Sequence, residues 1–155
     1  MTSKEWALLF QDNIRTAVDV VSAKKEKWNV EMVVLTRIMH DSVQLPWWHD
    51  VWMMPQDWPS GGERFTIKGA YDNLASLGWD RRKLILDLVR SFESRPSPMI
   101  LPAVRMGPSK TMKEIMLVDG CHRAIATRMT THDPVITMAV LDVPHGHQWD
   151  MTVGT

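Results

Sequence analysis

The chain has a single cysteine and a single tyrosine in 155 residues, and its 18 basic residues cancel its 18 acidic ones. One cysteine excludes an intrachain disulfide and fits a reducing compartment. Cancelled charge removes any global field towards nucleic acid or anionic membrane, so DNA is possible as a partner through a local basic patch but not favoured. No apolar run approaches the ~20 residues that span a bilayer, and Met1-Thr2-Ser3-Lys4-Glu5 lacks the charged-then-apolar order of a signal peptide. A cytoplasmic protein without a membrane partner is expected. Also missing are a glycine-rich P-loop, a Cys-x-x-Cys pair, a serine nucleophile elbow and internal repeats. His145 and His147, with Asp142 or Asp150, lack the fixed spacing of a helical ligand pair, so no metal is assigned to protein ligands.

What the chain has in quantity is tryptophan and methionine, eight and twelve residues respectively. Trp47, Trp48, Trp52 and Trp58 crowd together with Pro46, Pro55 and Pro59. Prolines at that density break helix and strand alike, so the segment is expected to be an irregular loop or lid. Its rings either plug one end of the core or form a stacking wall for a base or substrate; the sequence leaves both open.

The most informative stretch is Asp119-Gly120-Cys121-His122-Arg123. An apolar run, Ile115 to Val118, leads into an Asp-Gly turn, and a helix follows. A helix start presents unpaired N–H groups at the positive end of the dipole, and a guanidinium there opposes the dipole unless an anion joins it. Arg123 is therefore a phosphate-binding candidate, with Gly120 at the turn. His122 is a phosphate donor or a structural histidine. Asp119 is expected to cap the helix. Cys121, beside His122 and Arg123 at a helix start, is in a setting that lowers a thiol pKa.

At these residues the chain resembles the superfamily that groups ParB-like domains with the sulfiredoxins, whose signature is a strand, a Gly-x-His-Arg turn and a helix. The likeness extends over roughly residues 65–144: a helix at 81–92, a proline-bearing strand at 98–106, the motif, and a strand at 134–143. It implies an α+β fold, a small mixed sheet with packed helices. It also implies ATP or ADP with Mg²⁺ as cofactors, and phosphoryl transfer to a small-molecule or protein acceptor. In sulfiredoxins the cysteine matching Cys121 is catalytic, which makes Cys121 the catalytic candidate by resemblance; Asp119, where sulfiredoxins usually have an uncharged small residue, is named as a catalytic candidate beside it. Lys83 and Ser91, on the helix before the proline-bearing strand, are the further nucleotide-binding candidates by the same resemblance. Glu63, Asp57 and Asp87 are unranked candidate bases, and Arg81 and Arg82 are assigned to solvated surface.

The remainder sets the architecture. Thr2 and Glu5 have capping-box spacing ahead of a helix reaching about residue 23, and a second helix is expected at 29–40. Residues 1–60 thus form a helical and Trp-rich extension, 61–144 a ParB/sulfiredoxin-like core and 145–155 a tail, in one domain. Asp80 is expected to cap the helix at 81–92, whose Leu84, Ile85, Leu88, Val89 and Phe92 form one stripe. Pro102 inside a strand predicts an edge position or a bulge. A second function class remains: a non-enzymatic DNA- or protein-binding module, of phage or mobile-element type, using the tryptophans.

Overall fold

The near-continuous apolar runs of β5 and β7 decide the architecture, because they give the sheet two apolar faces to cover. The computed structural model describes residues 1–10, 24, 27–36, 41–50, 52–56, 62–95, 98–105, 111–130 and 136–144. Among these, α1 (Ser3–Phe10) precedes β1 (Val30–Leu35), β2 (Gln44–His49), β3 (Pro55–Gln56) and β4 (Glu63–Thr66). Then come α2 (Ile67–Asp72), α3 (Trp79–Ser94), β5 (Met99–Arg105), β6 (Ile115–Leu117), α4 (Cys121–Met129) and β7 (Ile136–Asp142). The seven strands form one mixed sheet in the order β1-β7-β5-β6-β2-β3, with β4 also paired to β2. The fold is mixed α+β, as expected.

One face of the sheet, bearing Leu101, Ala103, Ile115, Leu117, Met138 and Val140, joins Ile85 of α3 and Ala124 and Ile125 of α4 in the main core. The alternate residues Val104, Met116, Ala139 and Leu141 form a second core with Trp6, Phe10 and Trp28. Trp6 Nε1 donates to the Ala139 carbonyl at 2.8 Å, tying α1 to the sheet. The capping box is present in full: the Thr2 amide donates to Glu5 Oε2 at 2.6 Å and the Glu5 amide to Thr2 Oγ1 at 3.1 Å. Residues 11–23 of the expected first helix lie outside the described residues.

Four expectations need correction. Within the helix expected at 29–40, Val30–Leu35 are instead β1, antiparallel to β7 from Val30↔Leu141 to Leu35↔Ile136, and residues 37–40 lie outside the described residues. Its Val30-x-x-Val33-Val34 content suits a pleated surface, and pairing outweighs the weak helical period. The described part of the Trp-rich segment is not an irregular loop, since Pro46, Trp47 and Trp48 lie within β2 and Pro55 within β3, with Trp52 in the turn between them; Trp58 and Pro59 lie outside the described residues. Pro46 has no N–H to give, and the β2–β4 register shifts between Gln44 and Trp48, around that proline. Pro102 is in a central strand, between β7 and β6, not at an edge. Its carbonyl accepts from Val118 N at 3.0 Å just past the end of β6, so the missing N–H removes one bond where the ladder is already ending. Finally, α3 starts at Trp79 after Gly78, with no side-chain cap, and Asp80 belongs to its first turn.

Arg105 closes the sheet on the β1 side. Its Nη1 donates to Glu31 at 2.9 Å and to Asp142 at 2.7 Å, joining β5, β1 and β7. Both carboxylates answer one buried guanidinium, the pairing a desolvated charge requires.

Candidate functional site

β6 delivers the motif turn from a fully buried run, Ile115 to Leu117, and Gly120 then reverses the chain with φ 79° and ψ 20°. Only glycine fits there. The left-handed backbone disfavours a side chain, and a Cβ would lie 2.6 Å from Leu101 Cδ2 of β5. Gly120 therefore takes the N-cap place of α4, its carbonyl accepting from Ala124 N at 2.9 Å, and no side chain caps the helix. Asp119 does not cap, contrary to expectation: it is one position too early. It instead lies 3.8 Å from Arg123 Nη2, with both side chains about two-fifths exposed at 41% and 37%. That separation and exposure make a weak pair that an incoming anion can displace.

Arg123 folds back over the turn, its Nη2 being 3.3 Å from where a Gly120 Cβ would stand. His122 is half-buried, with its ring tilted against Trp47 at 5.1 Å. Burial, reinforced by the Arg81 charge and opposed by Asp119, holds its pKa below the ordinary histidine value. His122 is thus neutral at pH 7. Cys121 is only 6% exposed and belongs to the main core. Burial and the Asp119 carboxylate push its thiol up to about 12, outweighing its own amide, Arg81 and Arg123. The expected lowering of this pKa is reversed because the side chain turns into apolar packing, where losing water costs the thiolate more than the helix end returns.

Arg81 is the residue that sequence reading missed. Assigned to solvated surface, it reaches from the first turn of α3 to lie over the Trp47 ring, Cζ 4.4 Å from the centroid. Two arginines, from α3 and α4, therefore flank one histidine and one indole at the start of α4. Trp47 is buried and covered by Arg81, which makes it part of the core and a support for that guanidinium rather than an open stacking wall. The alternation of Val43, Leu45 and Trp47 was the available sign that β2 is a strand aimed at the core; nothing local marked Arg81.

The helix α3 does not carry its other candidates to the motif. Lys83 is two residues beyond Arg81, roughly 200° around the axis, and its Nζ pairs with Asp87 at 3.1 Å. Arg90 meets the same carboxylate at 3.5 Å, which occupies Asp87 as a base. Ser91 is exposed and about 15 Å further along the axis than Arg81. Leu84, expected in the apolar stripe, is 46% exposed. Glu63 is exposed at the start of β4, whereas Asp57 lies outside the described residues, as do His145, His147 and Asp150. His49, another residue without a sequence signal, is buried against Phe65, its Nδ1 2.7 Å from the Asp50 carbonyl.

A bound nucleotide phosphate fits what is present: first-turn amides without a side-chain cap, two guanidiniums and an imidazole. Asp119 is the carboxylate at the turn that would hold a divalent ion, although no group of three or more His, Cys, Asp or Glu side chains that could hold a metal stands among the described residues. No helix among the described residues is long and apolar enough to cross a membrane. No family model, curated protein or solved structure matches the chain.

Proposed function

We propose that the chain is a nucleotide-binding protein of ParB/sulfiredoxin-like type that grips the phosphates of ATP or ADP at the start of α4 and transfers a phosphoryl group to a small molecule or protein side chain. The observation that carries this reading is the convergence of Arg81 and Arg123 on a helix start whose amides no side chain caps. Phosphoryl transfer needs chiefly positioning and charge neutralisation, and these residues supply both. Arg123 releases Asp119 and closes on the phosphate, and Arg81, held flat by Trp47, contributes a second positive charge. Asp119 is the residue that would hold Mg²⁺, which when bound neutralises phosphate charge. Cys121 has no nucleophilic part in this scheme: a thiol at about 12 is almost wholly protonated at neutral pH. Its role is to pack the helix start.

Calorimetric titration with ADP and ATP, with and without Mg²⁺, tests the reading. Wild type binds, and Arg123→Ala weakens binding by about tenfold or more, the usual loss of a charge-assisted contact. Absence of nucleotide binding, or an Arg123→Ala variant that binds equally, overturns it. One observation favours the second reading, a binding module without catalysis: Trp52 is 80% exposed and Trp79 72%. Exposed indoles of that size suit a partner hot spot. Quenching of their fluorescence by a macromolecular partner, with no nucleotide effect, would turn the choice towards it.

A further inference from the structure

The face of β2 and β4 turned away from the motif carries an open cavity of about 670 Å³. Directly opposed residues share a face, so Gln44, paired with Met116 and Thr66, places all three on the α1 side of the sheet; the Trp48–Arg64 pair belongs to the same side. We propose that this cavity is an oxyanion site, in which Arg64 and Lys113 hold the carboxylate or phosphate group of a small molecule.

Arg64 is the reason. Its guanidinium lies over the Trp48 ring, Cζ 4.8 Å from the centroid, and its buried Nε has no hydrogen-bond partner. No ion pair reaches it among the described residues. Arg105 also has a buried Nε without a partner, but its Nη1 has two carboxylates within 2.9 Å, so the contrast lies in the ion pairs. A desolvated cation left single is costly, and cation–π contact offsets only part of the loss. Burial accordingly pulls the Arg64 pKa down. The carboxylates of the cavity do not answer it. Asp41 is taken by Arg128, whose Nε donates to it at 3.0 Å, and Glu63, exposed on the rim of the cavity, forms no ion pair with Arg64 among the described residues.

The other lining groups fit an anion. Lys113 enters the described hydrogen bonds only through its carbonyl, which accepts from Gln44 Nε2 at 2.9 Å, so its ammonium is available to the cavity. Thr66 Oγ1 accepts from Gly69 N at 3.0 Å, which leaves its hydroxyl proton to donate. Trp48 supplies an apolar wall. A guanidinium fork, an ammonium and a hydroxyl around one concavity form a donor set for an oxyanion, and the volume admits a small molecule bearing it.

The test is NMR of the arginine Nε–H signals in the full chain, titrated with inorganic phosphate or acetate, each against chloride at matched ionic strength. The Arg64 signal shifts saturably with phosphate, acetate or both, and the anion that acts identifies the source. Lys113→Gln, an exposed change that does not threaten the fold, weakens the response by about tenfold. Arg123→Gln, at the motif, leaves it within about twofold, which separates this site from the nucleotide reading. A shift that chloride reproduces, that Lys113→Gln does not weaken, or that Arg123→Gln abolishes overturns the proposal.

Discussion

Trp47 and Trp48 are neighbours in β2, each with an arginine laid on its ring, yet the two pairs have opposite surroundings. Trp47 turns into the main core, and its arginine, Arg81, shares space with His122 and the start of α4. Trp48 turns to the other face, and its arginine, Arg64, stands beside an open cavity with no ion pair among the described residues. Alternation along a strand is enough to create this difference: a dipeptide in extended conformation serves two faces at once. What it teaches is that an indole can fix a guanidinium in place without neutralising it: each arginine is oriented, and neither has an ion pair among the described residues.

The largest way to break the comparison is to remove each indole in turn. Trp47→Ala opens a cavity in the main core and should destabilise the protein by about 3–5 kcal/mol in urea denaturation, the usual cost of a buried large-to-small change. Trp48→Ala, on the half-buried side, should cost about 1 kcal/mol or less, within the range of partly exposed substitutions. Equal losses would mean that the two faces are equally packed. The thiol of Cys121 reports the same contrast chemically. Raised to about 12, it should react with an alkylating reagent at pH 8 roughly a thousandfold more slowly in the native protein than in denaturant. A native rate within tenfold of the unfolded one would show the thiol accessible and ionised.

Much of the sheet was legible because its signals are local and mutually consistent. The alternation of β7, the strand-turn-helix of the motif and the Thr2–Glu5 box each depend on residues a few positions apart. The errors came where distant pairing overrides local preference. β1 reads as helix until β7 is laid beside it, and the prolines of β2 read as breakers until their missing N–H groups are matched to a register shift. At the candidate site, Arg123, suggested by the dipole, belongs to the proposal, and the left-handed turn at Gly120 was readable from turn chemistry. The burial of Cys121 was not, because the side a helix residue faces at its first turn depends on what packs there, and Leu101 and α3 come from elsewhere in the chain. Arg81 and Arg64 were hidden for the same reason, since a stacked guanidinium needs a ring on another strand or helix.

Gly120→Ala sharpens the motif side by itself. A left-handed alanine costs about 1–2 kcal/mol, and displacing Leu101 from a 2.6 Å contact adds overpacking of similar size, so a loss of about 2–4 kcal/mol is expected in thermal or urea unfolding. A Gly120→Ala loss below about 1 kcal/mol, less than the left-handed backbone alone costs, would mean that the turn yields and that Arg123 is not held over it.

The smallest expected effect is the pH dependence that His122 imposes on the motif. In the folded protein burial and Arg81 depress its pKa, so the unfolded chain takes up a proton first as pH falls through the ordinary histidine value. Stability from this residue is therefore complete above that value and declines below it, towards the folded pKa. A phosphate bound beside the ring acts in the opposite sense: it favours imidazolium, raises the pKa, and makes binding take up a proton. Nucleotide affinity should then rise between pH 8 and pH 6 beyond whatever the phosphate's own titration contributes. His122→Gln, titrated over the same range, carries only the phosphate contribution, so the difference between the two profiles isolates the imidazole. Identical profiles would place the phosphate away from Trp47 and His122, and leave Arg123 alone at the helix start.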